Sequence, residues 1–522
     1  MNEMLKPYIT KDEPFGPIDS TDIDIRDVDV LEKLFEQHNS IYHNMRHRPS
    51  IIMGRKGSGK TSYLRSVFFD KKYDFYTEIR TDHALTHISK VVQGLTKEVA
   101  FPETLAELWE TILWICLFSE IHIHSLLPPD KLTPIEMYLE KVGVRDASNA
   151  DDVLWKLVRL FDEVLESEPK DGLSEALRRF DRVMFKKTLS VVDDSLKSDG
   201  RQFVILMDSL DDFQLDFSSV YYSFQGLLKF VGSMNKPRDV VDIRFCLPTE
   251  LYHRSLDISS NPNKDFSRSL KLQWTATELI LIGAQRLKLF LELYYPDYLQ
   301  RLLPLDTSVR ADALKLFQAV LPKTIISRSG FQEETIPYIL RHTQLLPRHF
   351  LILLNSIFKN TGGARSLNPF PISETRIVNG VRQVEERIVN EIYVAFRSIY
   401  PTAGMTCKRS LPELTHKFSV GELHKVFTRH GKGVFGGENF FEFQRMLLEI
   451  GALGKVKPGK ATDVYIQGNF EYTIEHEIAI SHDDELCLHP LFTGIFGEDR
   501  EDRPVYPYGS DLNHEDYRDH FK

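Results

Sequence analysis

Residues 51–64 read IIMGRKGSGKTSYL, a short apolar run that stops at Gly54 and gives way to a glycine-rich turn before Lys60. The stretch satisfies G-x-x-x-x-G-K-[ST] over 54–61, and it has the context that this motif requires, a strand at 50–53 before it and a helix over 60–69 after it. Glycine at 54, 57 and 59 lets backbone N–H groups wrap around phosphate oxygens, because side chains there would obstruct the approach. The helix N-terminus adds partial positive charge facing the same anion. The expected nucleotide-binding set is therefore Gly54, Arg55, Lys56, Gly57, Ser58, Gly59, Lys60, Thr61 and Ser62. Lys60 brings a point charge to the terminal phosphates of a nucleoside triphosphate. The Thr61 hydroxyl takes one position on a Mg²⁺ ion that otherwise keeps waters and phosphate oxygens.

Outward from the loop, YDFYTEI at 73–79 reads as a second strand and completes a βαβ beginning. From 83 to 200 the pattern is almost wholly helical, and strand signals return as QFVILMD at 202–208 and VDIRFCLP at 241–248. The expected fold class is α/β, a P-loop NTPase parallel-sheet core with a large helical insertion, a helical lid and a C-terminal winged-helix-like domain. The expected boundaries are 1–82 and 201–273 for the core, 83–200 for the insertion, 274–365 for the lid, 366–497 for the winged-helix-like domain and 498–522 for a charged, solvated tail. FVILMDSLDD releases Asp208 at the C-terminal edge of a buried strand, where an open α/β sheet places its ligands. Asp208 is thus the candidate magnesium-coordinating carboxylate. Asp211, with Asp212 as the alternative, is the candidate for orienting or deprotonating a water that attacks the γ-phosphate. Such acids after a strand also serve as ordinary helix N-caps, and the upstream loop is what favours the catalytic reading.

GRKGSGKT followed by DSLDD resembles the STAND and AAA+ branch of P-loop ATPases, with Asp208 and Asp211 matching the two acids of the second motif. Ser209 stands in place of the usual glycine and no Glu follows Asp208, so slow turnover is expected. The resemblance implies ATP as the nucleotide. It also implies a sensor-1 strand in VDIRFCLPTEL, with Thr249 contacting the γ-phosphate or the lytic water. LLPRHFLILLN is similar to a sensor-2 helix start, which would put Arg348 on the γ-phosphate. Arg254 and Arg286 are weaker candidates for an arginine finger. The whole layout is similar to bacterial P-loop ATPases linked to phage defence.

Composition narrows the remaining classes. The 522 residues are 42% hydrophobic and 27% charged, with a formal net charge of −10, so no chain-wide field draws the protein to nucleic acid or an anionic membrane. Cys116, Cys246, Cys407 and Cys487 form no ligand cluster, and the first residues lack a secretory pattern; a cytoplasmic setting is expected. The apolar stretch 105–127 is interrupted by Glu107, Glu110 and Glu120 and falls short of the roughly 18 uncharged residues of a spanning helix. Lys455, Lys457 and Lys460 form a basic wing, yet Glu438, Glu442 and Glu449 around Arg445 would repel DNA from the adjacent helix. A protein partner or homo-oligomer is therefore favoured over nucleic acid. Three functions remain open: an ATPase switch that controls a partner, an initiator-like DNA-binding ATPase, and a non-hydrolysing nucleotide-binding scaffold.

Overall fold

The computed structural model describes residues 2–24, 27–35, 49–68, 73–79, 85, 88–89, 102–167, 178–208, 218–234, 240–251, 259, 263, 266–302, 304–361, 369–435, 439–461, 464–473, 478–496 and 503–507. Asp211, Asp212, Arg254 and Glu438 lie outside the described residues. The chain divides into two compact units, 41–55 with 60–272, and 1–40 with 56–59 and 273–522.

The first unit is built on a parallel sheet. Its strands are β1 (Ile51–Gly54), β2 (Phe75–Ile79), β3 (Phe203–Met207), β4 (Val241–Pro248) and β5 (Ser269–Lys271), in the order β2-β3-β4-β1-β5. All four neighbouring pairs run parallel. β1, β3 and β4 are buried along their whole length; β1 and β3 read as unbroken apolar runs, while β4 also buries Asp242 and Arg244. The helices Pro102–Ile123, Pro129–Val142, Ala150–Ser167 and Arg182–Asp199 fall between β2 and β3 in the chain, as the helical insertion. Helix Pro102–Ile123 packs on helix Ser218–Ser233: the Trp109 indole N–H donates to the Ser223 carbonyl at 2.8 Å, and a Cβ on Gly226 would lie only 2.5 Å from Leu105 Cβ. The glutamates that interrupt this apolar stretch fit a buried core helix. Among the described residues no helix is long and apolar enough to cross a membrane.

The second unit is mainly helical up to residue 410, with a small hairpin of β6 (Thr324–Ile326) and β7 (Gln332–Glu334). Residues 1–40 belong to this unit and not to the α/β core, where the sequence reading put them. Phe15 causes the difference: it is fully buried, and its ring sits edge-on to Phe358 at 5.1 Å. The Arg286 guanidinium donates to the carbonyls of Phe15 and Leu34, each at 3.0 Å, so this expected arginine-finger candidate is a clamp on the N-terminal segment.

In the stretch expected to be a winged-helix-like domain, the order is helix Glu374–Ala395, β8 (Lys417–Ser419), helix Val420–Val426, helix Phe440–Glu449, then β9 (Leu453–Ala461) and β10 (Ile466–Asn469). Its sheet is larger than such a domain needs. β11 (Glu485–Leu488) lies between β9 and β8, and β12 (Val505–Tyr506) adds to the outer edge beside β10. The expected solvated tail from 498 therefore does not hold at 503–507, where Val505 and Tyr506 are buried. The Tyr506 hydroxyl donates to Glu333 Oε2 at 2.7 Å, and Arg341 Nη2 donates to Glu333 Oε1 at 3.0 Å. Because this ion pair is buried on both sides, Glu333→Gln removes one of its charges and should cost about 3–5 kcal/mol. A fall in the urea midpoint would report this, with the exposed neighbour substitution Glu334→Gln leaving the midpoint unchanged.

Candidate functional site

β1 ends at Gly54, and the chain then turns through a loop before helix Lys60–Arg65. Gly57 and Gly59 have φ of +85° and +91°, left-handed values that L side chains rarely adopt, so the glycine spacing of the motif is a backbone requirement. Lys60 is 5% exposed, and its ammonium turns back over the loop to donate to the carbonyls of Gly54 at 3.1 Å and Arg55 at 3.3 Å. Arg55, Lys56, Thr61 and Ser62 are partly buried along the same turn.

Strand order brings the acid to this loop. β4 lies between β1 and β3, with Gly54 in register with Pro248 and Phe245 in register with Met207. The C-terminal ends of the three strands therefore share one edge, and Asp208, the residue after β3, comes to Thr61. Thr61 Oγ1 donates to both carboxylate oxygens of Asp208 at 3.2 Å. Thr249, the residue after β4, shares that edge, and its hydroxyl is buried with no hydrogen-bond partner.

Glu78, near the end of β2, is an acid at this edge that the sequence reading missed. Burial pushes its carboxyl above the usual range, the Arg65 guanidinium 3.7 Å away opposes this, and the Asp208 charge adds to the rise. A single glutamate in FYTEI carries no motif. Only the pairing of Ile79 with Met207 places it beside the Asp208 strand.

Loop residues 56–59 have their own surroundings within the second unit. The Trp274 indole N–H donates to the Ser58 carbonyl at 2.8 Å, and the Arg348 main-chain N–H donates to the Gly57 carbonyl at 3.3 Å. Arg348 is the second residue of helix Pro347–Phe358, and its guanidinium pairs with Asp19. The structure thus puts this expected phosphate contact beside the loop but on an acid from the N-terminal segment. Ser58 Oγ and Arg348 Nε are both buried with no hydrogen-bond partner.

These residues suit the group that the motif implies. Thr61 and Asp208 offer two hard oxygen donors, the sparse protein contribution that Mg²⁺ takes when phosphates and waters fill its other positions. Among the described residues no cluster of three or more His, Cys, Asp or Glu offers a denser metal cage. His122 and His124 lie near Glu136 and Glu120 at 3.4 and 3.3 Å. The Ser58 hydroxyl and the Arg348 Nε–H lack partners beside loop residues 56–59, and polyphosphate oxygens accept from donors of this kind.

The fold and the loop define the class: a parallel α/β core with a P-loop turn and an acid at the C-terminal sheet edge. No family profile matches the chain, and no curated protein sequence does. Among solved structures, the ORC2 protein of Aeropyrum pernix in its ADPNP–ADP complexes is similar at 13% identity and a TM-score of 0.33, covering 91% of this chain and 94% of that one. The ADP form of the same protein gives 12% identity and a TM-score of 0.25, with 90% of each chain covered. Likeness at these values carries neither ligand nor activity to this chain.

Substituting Gly57 tests the loop geometry. An added Cβ would sit 3.1 Å from Arg348 Cβ in a left-handed backbone, so Gly57→Ala should cost about 1–3 kcal/mol. Faster amide hydrogen exchange across 54–61 would report it. Gly433→Ala, whose added methyl meets nothing within 4 Å, should leave exchange unchanged.

Proposed function

We propose that the chain binds ATP with Mg²⁺ in the 54–61 loop and hydrolyses it slowly. Its nucleotide state then acts as a switch on a protein partner or an oligomer, in the antiviral setting that the family resemblance implies. The observation that carries this reading is the 3.2 Å contact of Thr61 Oγ1 with the Asp208 carboxylate, next to a loop over which Lys60 is folded. Loop amides enclose the phosphates, Lys60 neutralises the terminal groups, and Thr61 and Asp208 hold the metal. Bound Mg²⁺ supplies charge neutralisation at the phosphate oxygens. Thr249 places its hydroxyl on the γ-phosphate or the attacking water. Asp211, or Asp212 in its stead, orients or deprotonates that water.

A DNA-binding role gains no support from the expected wing. Lys455 pairs with Asp484 at 2.7 Å, and Arg445 on the adjacent helix pairs with Glu449 at 2.7 Å. Phe441 on that helix is 66% exposed, which suits contact with a protein surface better than entry into a groove lined by phosphates.

Two measurements test the assignment. Lys60→Ala should weaken binding of a fluorescent ATP analogue by roughly a hundredfold or more, the scale of a lost charge-assisted phosphate contact; wild-type affinity in this variant refutes the loop as the site. Thr249→Val should weaken that affinity far less than Lys60→Ala does and lower phosphate release about tenfold or more, as for loss of one transition-state hydrogen bond. Unchanged turnover removes Thr249 from the site.

A further inference from the structure

We propose that Asp19 is a positioning residue for Arg348. It holds the guanidinium beside the loop until the terminal phosphate of a triphosphate takes it, and so sets how strongly the site prefers a triphosphate to a diphosphate. This rests on the loop binding a nucleotide, and it adds a residue from the N-terminal segment that no motif marks.

The placement of Asp19 is built, not incidental. Phe15, four residues earlier, donates its N–H to Asn355 Oδ1 at 2.7 Å, and Asn355 Nδ2 donates back to the Gly16 carbonyl at 3.0 Å. Asn355 and Arg348 belong to the same helix, Pro347–Phe358, so the segment is pinned to the element that carries the arginine. Asp19 Oδ1 accepts from the Thr21 N–H at 3.1 Å and the Thr21 hydroxyl at 3.0 Å, which orients Oδ2 toward the guanidinium.

Arg348 is equally constrained. A Cβ on Gly57 would lie 3.1 Å from Arg348 Cβ and 3.3 Å from its Cδ, so the aliphatic stem runs along the loop. Asp19 satisfies only part of the head group, since the buried Nε–H has no acceptor. A guanidinium presents a fork of N–H donors, and a phosphate accepts two of them at once with full negative charge. A terminal phosphate is thus the stronger partner, and it competes with the carboxylate for the head group. A diphosphate lacks that group and leaves the pair in place.

The test compares dissociation constants of a non-hydrolysable ATP analogue and of ADP, both with Mg²⁺, for the full-length protein and its variants. Asp19→Asn keeps an amide oxygen for Thr21 but removes the competing charge. It should tighten triphosphate binding roughly fivefold, the scale of a partly exposed ion pair, with ADP affinity unmoved. Asp19→Glu should retain the wild-type ratio. In an Arg348→Ala background, Asp19→Asn should have no further effect. An unchanged or reduced preference for the triphosphate in Asp19→Asn, with binding still dependent on Lys60, overturns the proposal while leaving the nucleotide site intact. Absence of Lys60-dependent binding in the wild-type protein overturns the site itself.

Discussion

An anion-binding loop needs inward-facing amides, and the left-handed backbone of Gly57 and Gly59 is the conformation that permits such a turn at 54–61. That local constraint becomes a chemical site through one longer-range contact, the Thr61 hydroxyl on the Asp208 carboxylate. The contact is not set by sequence proximity, since the helical insertion separates the two residues. It is set by register: β4 separates β1 from β3 while keeping their C-terminal ends on one edge. The buried apolar strands thereby do chemical work, because a slip in their pairing would carry Asp208 and Thr249 away from the loop.

Around this edge the charges are unevenly satisfied. Glu78 is held above the usual carboxylate range by burial, while Thr249 keeps a buried hydroxyl without a partner. In the other unit, Ser58 and Arg348 keep buried polar atoms without partners beside loop residues 56–59. The N-terminal segment brings an acid to Arg348 in the same way that the sheet brings one to Thr61, by packing that is fixed elsewhere.

The loop was legible in the sequence because its chemistry is local: glycine spacing, lysine and hydroxyl lie within a single turn. β3 was legible as an apolar run and Asp208 as the residue that ends it, and β4 was legible despite the buried Asp242 and Arg244 within it. Strand order was not, because the runs do not record which strand lies between which. The place of residues 1–40 was hidden for a similar reason, since Phe15 meets Asn355 across a separation of 340 residues. β12 was hidden because two residues within a charged stretch carry no periodicity, and its burial depends on Glu333 and Arg341 far upstream. Asp19 and Glu78 belong to no motif, and their roles arise only from what the fold sets against them.

In the proposed function, Thr61 and Asp208 together hold a metal on a polyphosphate enclosed by the loop. A crystal structure with Mn²⁺ and a non-hydrolysable ATP analogue, phased to show the anomalous signal of the ion, tests it most directly. The expected result is an anomalous peak about 2.2 Å from Thr61 Oγ1, with Asp208 in its inner or water-bridged shell and the phosphates under the loop amides. Nucleotide bound elsewhere, or a metal bound without Thr61 and Asp208, would contradict it.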